Sequence, residues 1–195
     1  MCDSAGTAGA TTARDGHWVP GPGAGLLAAA QSALGQLPLV AEDLGVITAE
    51  VERLRESFSL PGMRVLQFGF DGSPTNPHLP HTYPDHCVAY TGTHDNDTCA
   101  GWFASLDAAT RGGVTAYLGC ADDGVAPAMV SAVLKSRAEL AVVPAQDLLG
   151  LGGETRMNVP GVSGGNWGWR LDSLDALRAI AGPLAALVAA CDRTA

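Results

Sequence analysis

Basic side chains are scarce in this sequence: 11 Lys and Arg stand against 20 Asp and Glu, a net charge of −9. A chain this acidic repels phosphate backbones and anionic lipid, which excludes nonspecific binding to nucleic acid or a membrane surface and points to a small or neutral partner. Long apolar runs are missing too. None reaches the roughly 18 residues that span a bilayer, and the amino terminus lacks the basic-then-apolar order of a secretory signal, so a cytoplasmic location is expected. Cys2, Cys87, Cys99, Cys120 and Cys191 are odd in number and scattered, with no CxxC and no Cys/His metal spacing. They read as reduced, mostly buried thiols, and no metal or cofactor is expected. No GxGxxG opens a helix after a strand, and no GxxxxGK followed by Ser or Thr occurs, so the phosphate cradle of a nucleotide-binding sheet is absent.

What is present is apolar. Hydrophobic residues make up 47% of 195 and charged residues 16%, which excludes wholesale disorder and allows a sizeable core. Residues 1–15 are the exception, rich in Ala, Gly, Thr and Ser, and are expected to form a disordered tail. From there the chain repeats one pattern, a short apolar strand running into a polar loop and then a helix. The strands are expected at Leu37–Ala41, Met63–Phe68, Cys87–Tyr90 and Leu140–Val143, each an apolar run of the kind buried on both faces of a parallel sheet. Helices are expected at Leu26–Leu34, ended by Gly35; at Ala49–Phe58, capped by Thr48; at Thr98–Ser105, Ala108–Leu118 and Pro127–Ser136; and at Ser173–Cys191, kinked at Gly182-Pro183. Four such units make half of an eight-stranded parallel barrel or a small doubly wound sheet.

Polar groups follow every strand. Glu42 and Asp43 follow the first, a long Pro, Asn and His loop follows the second, and Gln146 and Asp147 follow the fourth. The richest cluster is Tyr90-Thr91-Gly92-Thr93-His94-Asp95-Asn96-Asp97 after the third strand. In parallel α/β proteins, loops at the carboxyl ends of strands carry catalytic groups, because the strand holds them rigidly and the loop leaves them open to substrate. The same residues also suit a polar turn that caps the next helix, with Asn96, Asp97 or Thr98 as the cap. The Gly-rich segment 150–169 adds Arg156, Asn158, Asn166, Trp167 and Trp169. Its aromatics suit a plug at the mouth of a barrel better than a stacking surface for sugar.

Taken together, Val40-Ala41-Glu42-Asp43-Leu44-Gly45, Leu60-Pro61-Gly62-Met63-Arg64-Val65-Leu66-Gln67-Phe68, Leu79-Pro80-His81, Tyr90 to Thr98, Gln146-Asp147-Leu148-Leu149-Gly150-Leu151-Gly152 and Arg156-Met157-Asn158 through Gly165-Asn166-Trp167 resemble, in order and spacing, the carboxyl-terminal half of the 4-α-glucanotransferases. These are the amylomaltases or disproportionating enzymes of glycoside hydrolase family 77. The resemblance covers about residue 16 to the end. It implies that 16–195 is the carboxyl-terminal half of a TIM (β/α)8 barrel, an α/β fold with four parallel strands, acting on α-1,4-glucans (maltodextrins) by a retaining mechanism.

By the same resemblance, Glu42 occupies the general acid/base position and Asp95 that of a carboxylate stabilising positive charge at the anomeric carbon. His94 and Asn158 match sugar-contacting residues, and Phe68 an aromatic on the acceptor side. The family's nucleophile lies in an Arg-x-Asp-His motif, which this sequence lacks. Asp15, in Arg14-Asp15-Gly16-His17, is only an echo of it and is not assigned. Without a nucleophile no covalent glycosyl-enzyme forms. The chain by itself is therefore expected to be inactive, and a non-catalytic remnant or glucan-binding fragment is the alternative reading.

Overall fold

A computed structural model describes residues 2–6 and 16–193. The chain divides into two compact units, Met1–Gly62 and Met63–Ala195.

In the first unit, β1 (Cys2–Gly6) pairs antiparallel with β2 (Gly16–Pro20), in a register that sets Cys2 opposite Pro20 and Gly6 opposite Gly16. Part of the expected tail is thus a strand, and residues 7–15 lie outside the described residues. Helix α1 (Ala24–Leu34) follows. It ends as expected at Gly35, whose φ of 79° is one that a side chain resists. Helix α2 (Ala49–Ser57) starts after an extended Thr48, with Glu50 and Glu52 favourably placed in its first turn; the Thr48 hydroxyl makes no capping bond.

The expected strand at Leu37–Ala41 is irregular. Pro38 removes a ladder donor, and Leu39 and Val40 are 46% and 44% exposed rather than buried. Among the described residues its strand-like bond is from the Ala41 amide to the Pro61 carbonyl, 2.8 Å. Next to it, the Arg55 guanidinium reaches both the buried Asp43 carboxylate (3.5 Å) and the Leu60 carbonyl (3.0 Å), tying α2 back to the segment before it.

The second unit is built on a three-stranded sheet in the order β3 (Gly62–Val65), β4 (Cys87–Tyr90), β5 (Leu140–Val142). Strands β4 and β5 run parallel, with Val88 opposite Leu140 and Tyr90 opposite Val142. The second expected strand is shorter than its apolar run: after Val65 the chain turns into a 3₁₀ segment, Leu66–Gly69. The fourth lies at a sheet edge, and Leu140 and Val142 are 51% and 40% exposed.

Helices α3 (Cys99–Ser105), α4 (Ala108–Leu118) and α5 (Val125–Leu134) cover the sheet. Cys87 and Ala89 of β4 pack with Leu66, Phe103, Val114, Val125, Met129 and Val133 in one core. Two of these helices have side-chain caps, and Thr98 is one of the candidates expected from sequence. The Thr98 hydroxyl accepts from the Gly101 amide, and the Asp107 carboxylate from the amides of Ala109 and Thr110. After β5 come a single turn, α6 (Ala145–Leu148), then the Gly-rich loop, and α7 (Asp175–Ala190), which includes Pro183. Among the described residues, no helix is long and apolar enough to cross a membrane.

Candidate active site

The strand ends of the second unit carry their polar residues into one network. Tyr90 ends β4, and the next residue, Thr91, is fully buried. Gly92 follows because a Cβ there would meet the Gln67 side-chain nitrogen at 2.7 Å. That nitrogen, from the 3₁₀ segment after β3, donates to the Asp97 carbonyl at 2.8 Å. The turn then folds on Asn96, whose carboxamide oxygen accepts from both the amide and the hydroxyl of Thr93 (2.9 and 2.8 Å). This is the polar-turn chemistry of an Asx residue. Its effect is to push His94 and Asp95 outward, with side chains 53% and 47% exposed.

The Gly-rich loop closes on these two residues. The Asn158 amide donates to the His94 carbonyl at 3.1 Å, and its side-chain nitrogen donates to Asp95 Oδ1 at 2.5 Å. His94 Nε2 lies 3.3 Å from the same oxygen. Arg156 spans the gap, donating to the Asp95 carbonyl at 2.6 Å and the Asn158 carbonyl at 2.9 Å. The guanidinium thus spends its hydrogens on main-chain oxygens and leaves the Asp95 carboxylate open to solvent on one side.

Beyond Asn158, the Asn166 side chain bonds Val159 and Val162, and the Trp167 amide bonds the Met157 carbonyl at 2.7 Å. Trp167 has a left-handed φ of 61°. Its ring lies 5.1 Å from that of His94, inclined at 37°. Trp167 is 52% exposed. A cavity of about 220 Å³ lies beneath the loop, lined by His94, Asn96, Asp97, Gln146, Arg156 and Met157 among others. Larger clefts, beside Tyr117 and beside Arg193, belong to other faces of the unit and hold none of the candidate residues.

Three of the five residues named from sequence therefore meet: His94, Asp95 and Asn158. Phe68 stands on the neighbouring strand end, one residue after Gln67, 45% exposed and edge-on to His78 with ring centres 5.5 Å apart. Glu42 belongs to the first unit, where it is exposed between Ala41 and the buried Asp43. The sequence assigns no role to Arg156 or Gln67, and to Trp167 only that of a plug. Their motif positions were visible, but the contacts that give them work span long stretches of chain. Among the described residues, no group of three or more His, Cys, Asp or Glu is placed to hold a metal.

A family model described as 4-alpha-glucanotransferase matches residues 6–175. The chain belongs to the 4-alpha-glucanotransferase family. It is 50% identical over 165 residues to the 4-alpha-glucanotransferase of Synechocystis sp., covering 83% of this chain and 33% of that protein. With the Thermus thermophilus 4-alpha-glucanotransferase it shares 51% over 170 residues, 82% of this chain and 34% of that one. The chain spans about a third of the length of these relatives. In structure it is similar to the amylomaltase from Streptococcus agalactiae in complex with acarbose, with a TM-score of 0.89, 32% identity, and coverage of 95% of this chain and 38% of that one. A parallel α/β sheet from part of a barrel enzyme accords with that likeness.

Proposed function

We propose that this chain supplies the carboxyl-terminal part of a 4-α-glucanotransferase that moves α-1,4-glucan segments between maltodextrins in the cytoplasm. The observation that carries the reading is the meeting of His94, Asp95 and Asn158 at the strand ends, with one Asp95 oxygen held and the carboxylate half exposed. A fixed carboxylate that is still open to a ligand suits charge stabilisation at an anomeric carbon. His94 and Asn158 are placed to meet the hydroxyls of the same sugar, and Trp167 offers a ring face beside them. Phe68, on the adjacent strand end, serves the acceptor side. Glu42 is the acid/base, protonating the departing glycosidic oxygen and then deprotonating the incoming 4-hydroxyl. Free thiols at Cys87, Cys99, Cys120 and Cys191 fit a reducing compartment.

The nucleophile of a retaining mechanism is not provided by the 195 residues, which contain no Arg-x-Asp-His. That observation also favours the second reading, a glucan-binding fragment without catalysis. The experiment is to replace the matching third of the Thermus thermophilus relative with residues 6–175 and assay maltotriose for glucose and longer dextrins. Disproportionation by the hybrid supports the enzyme reading. A folded hybrid that binds maltodextrin without transferring it supports the second.

A further inference from the structure

The loop that carries His94 and Asp95 begins and ends on a single buried side chain. Asp147, on α6 after β5, is 2% exposed. Its Oδ2 accepts from the Thr91 hydroxyl at 2.5 Å and its Oδ1 from the Cys99 amide at 2.7 Å. Thr91 is the first residue after β4 and Cys99 the first of α3, so one carboxylate closes the loop at its base, one oxygen to each end.

Burying a carboxylate costs several kcal/mol unless donors fill its lone pairs. The donors here are neutral, a hydroxyl and a peptide N–H, joined by the Cys99 thiol, which burial first and Asp147 second push well towards its protonated form. An apolar side chain would fill the same volume without that cost. What it would not do is fix two points of a loop at hydrogen-bond precision. The preceding residue acts on the other side of the site: Gln146 donates to the Thr155 carbonyl at 3.1 Å, pinning the residue before Arg156.

We infer that Asp147, which lines the cavity beneath the loop, is a positioning residue of the site, setting where Asp95 and His94 stand. The inference rests on the proposed sugar-contacting roles of those two residues. It is tested on the full 195-residue chain with three variants. Asp147→Leu removes both anchors and Thr91→Val removes one. Asp147→Asn keeps an oxygen for the Cys99 amide and offers its NH2 to the Thr91 hydroxyl oxygen.

Amide hydrogen exchange at Thr93, Asn96, Thr98 and Cys99 is compared with that at Met129 and Val133 in α5, and the His94 imidazole is followed by NMR. Expected is a loss of loop protection of about tenfold or more in Asp147→Leu, a smaller loss in Thr91→Val, near-recovery in Asp147→Asn, and α5 unchanged. The His94 resonances should shift in the same order. Should Asp147→Leu not fold, the contrast between Thr91→Val and Asp147→Asn decides the matter. Unchanged loop exchange in Thr91→Val, or equal loss in loop and α5, overturns the inference. Acarbose titration of the hybrid enzyme runs in parallel: absence of binding by the folded hybrid counts against the functional reading, while the exchange data still judge the role of Asp147.

Discussion

The Asn158 side chain donates to the Asp95 carboxylate at 2.5 Å across 63 residues of sequence, and the Asn158 main chain holds His94 at the same time. One residue of the Gly-rich loop therefore fixes both groups on the β4 loop. Asn158→Ala should lower kcat in the hybrid enzyme at least as much as it raises KM for maltotriose, because the carboxylate loses its orientation as well as a sugar contact. A rise in KM alone would mean that Asn158 only binds.

Asp95→Asn in the same hybrid should cost transfer about a hundredfold or more, the scale of losing a preorganised charge in a transition state. The measurement is kcat/KM on maltotriose, with circular dichroism to show that the fold is retained. Near-normal transfer would remove Asp95 from the mechanism.

Glu42→Gln keeps the shape of the acid/base and abolishes its proton, so transfer should fall about a hundredfold or more. Activated glycosyl donors, whose leaving groups need no proton, should lose much less. Equal loss with both kinds of donor would refute the assignment.

Alone, the 195-residue chain should release no longer dextrins from maltotriose and should self-associate. Leu140 and Val142 on β5, and Leu34, Leu39, Val40 and Val46 in the first unit, are 40–97% exposed, and β3 and β5 are edges of the described sheet. Light scattering and a maltotriose assay check this. A monodisperse monomer that makes longer dextrins would contradict both halves.

The Asp107 cap gives a pH signature. Hydrogen bonds, first from the Thr110 amide and then from its hydroxyl, hold this carboxyl below its ordinary value of 3.8. A lowered folded-state value means that the cap contributes fully above 3.8 and is lost as pH falls through the folded value. Urea melts of Asp107→Ala and the unmutated chain should differ at neutral pH and converge in acid. A gap that persists at the lowest pH would show that the cap acts through something other than its charge.

Much of this was legible in the residues. Ala108–Leu118 and Cys87–Tyr90 match their expected bounds, the second because an unbroken β-favouring run makes the strand. His94 and Asp95 stood out because a strand ran straight into them. Leu37–Ala41 misled because apolarity alone was read, although Pro38 denies the ladder a donor. Val65 was read through to Phe68 because nothing local marks the switch from strand to 3₁₀ turn. Arg156, Gln67 and Asp147 went unassigned for a different reason. An Arg that serves main-chain carbonyls, or an Asp that serves a hydroxyl and an amide, looks in sequence like any other polar loop residue. Only the partner 30, 48 or 61 positions away gives it a role.

Trp167 adopts a backbone conformation that costs a non-glycine residue about 1 kcal/mol or more. Glycine would relieve that cost, and four of the ten residues at 161–170 are already glycine. Selection for thermal tolerance would therefore favour Trp167→Gly and reward the loss of the ring that faces His94. Anyone stabilising this loop by directed evolution would need to screen for sugar recognition in the same round, since at this position the two pressures pull in opposite directions.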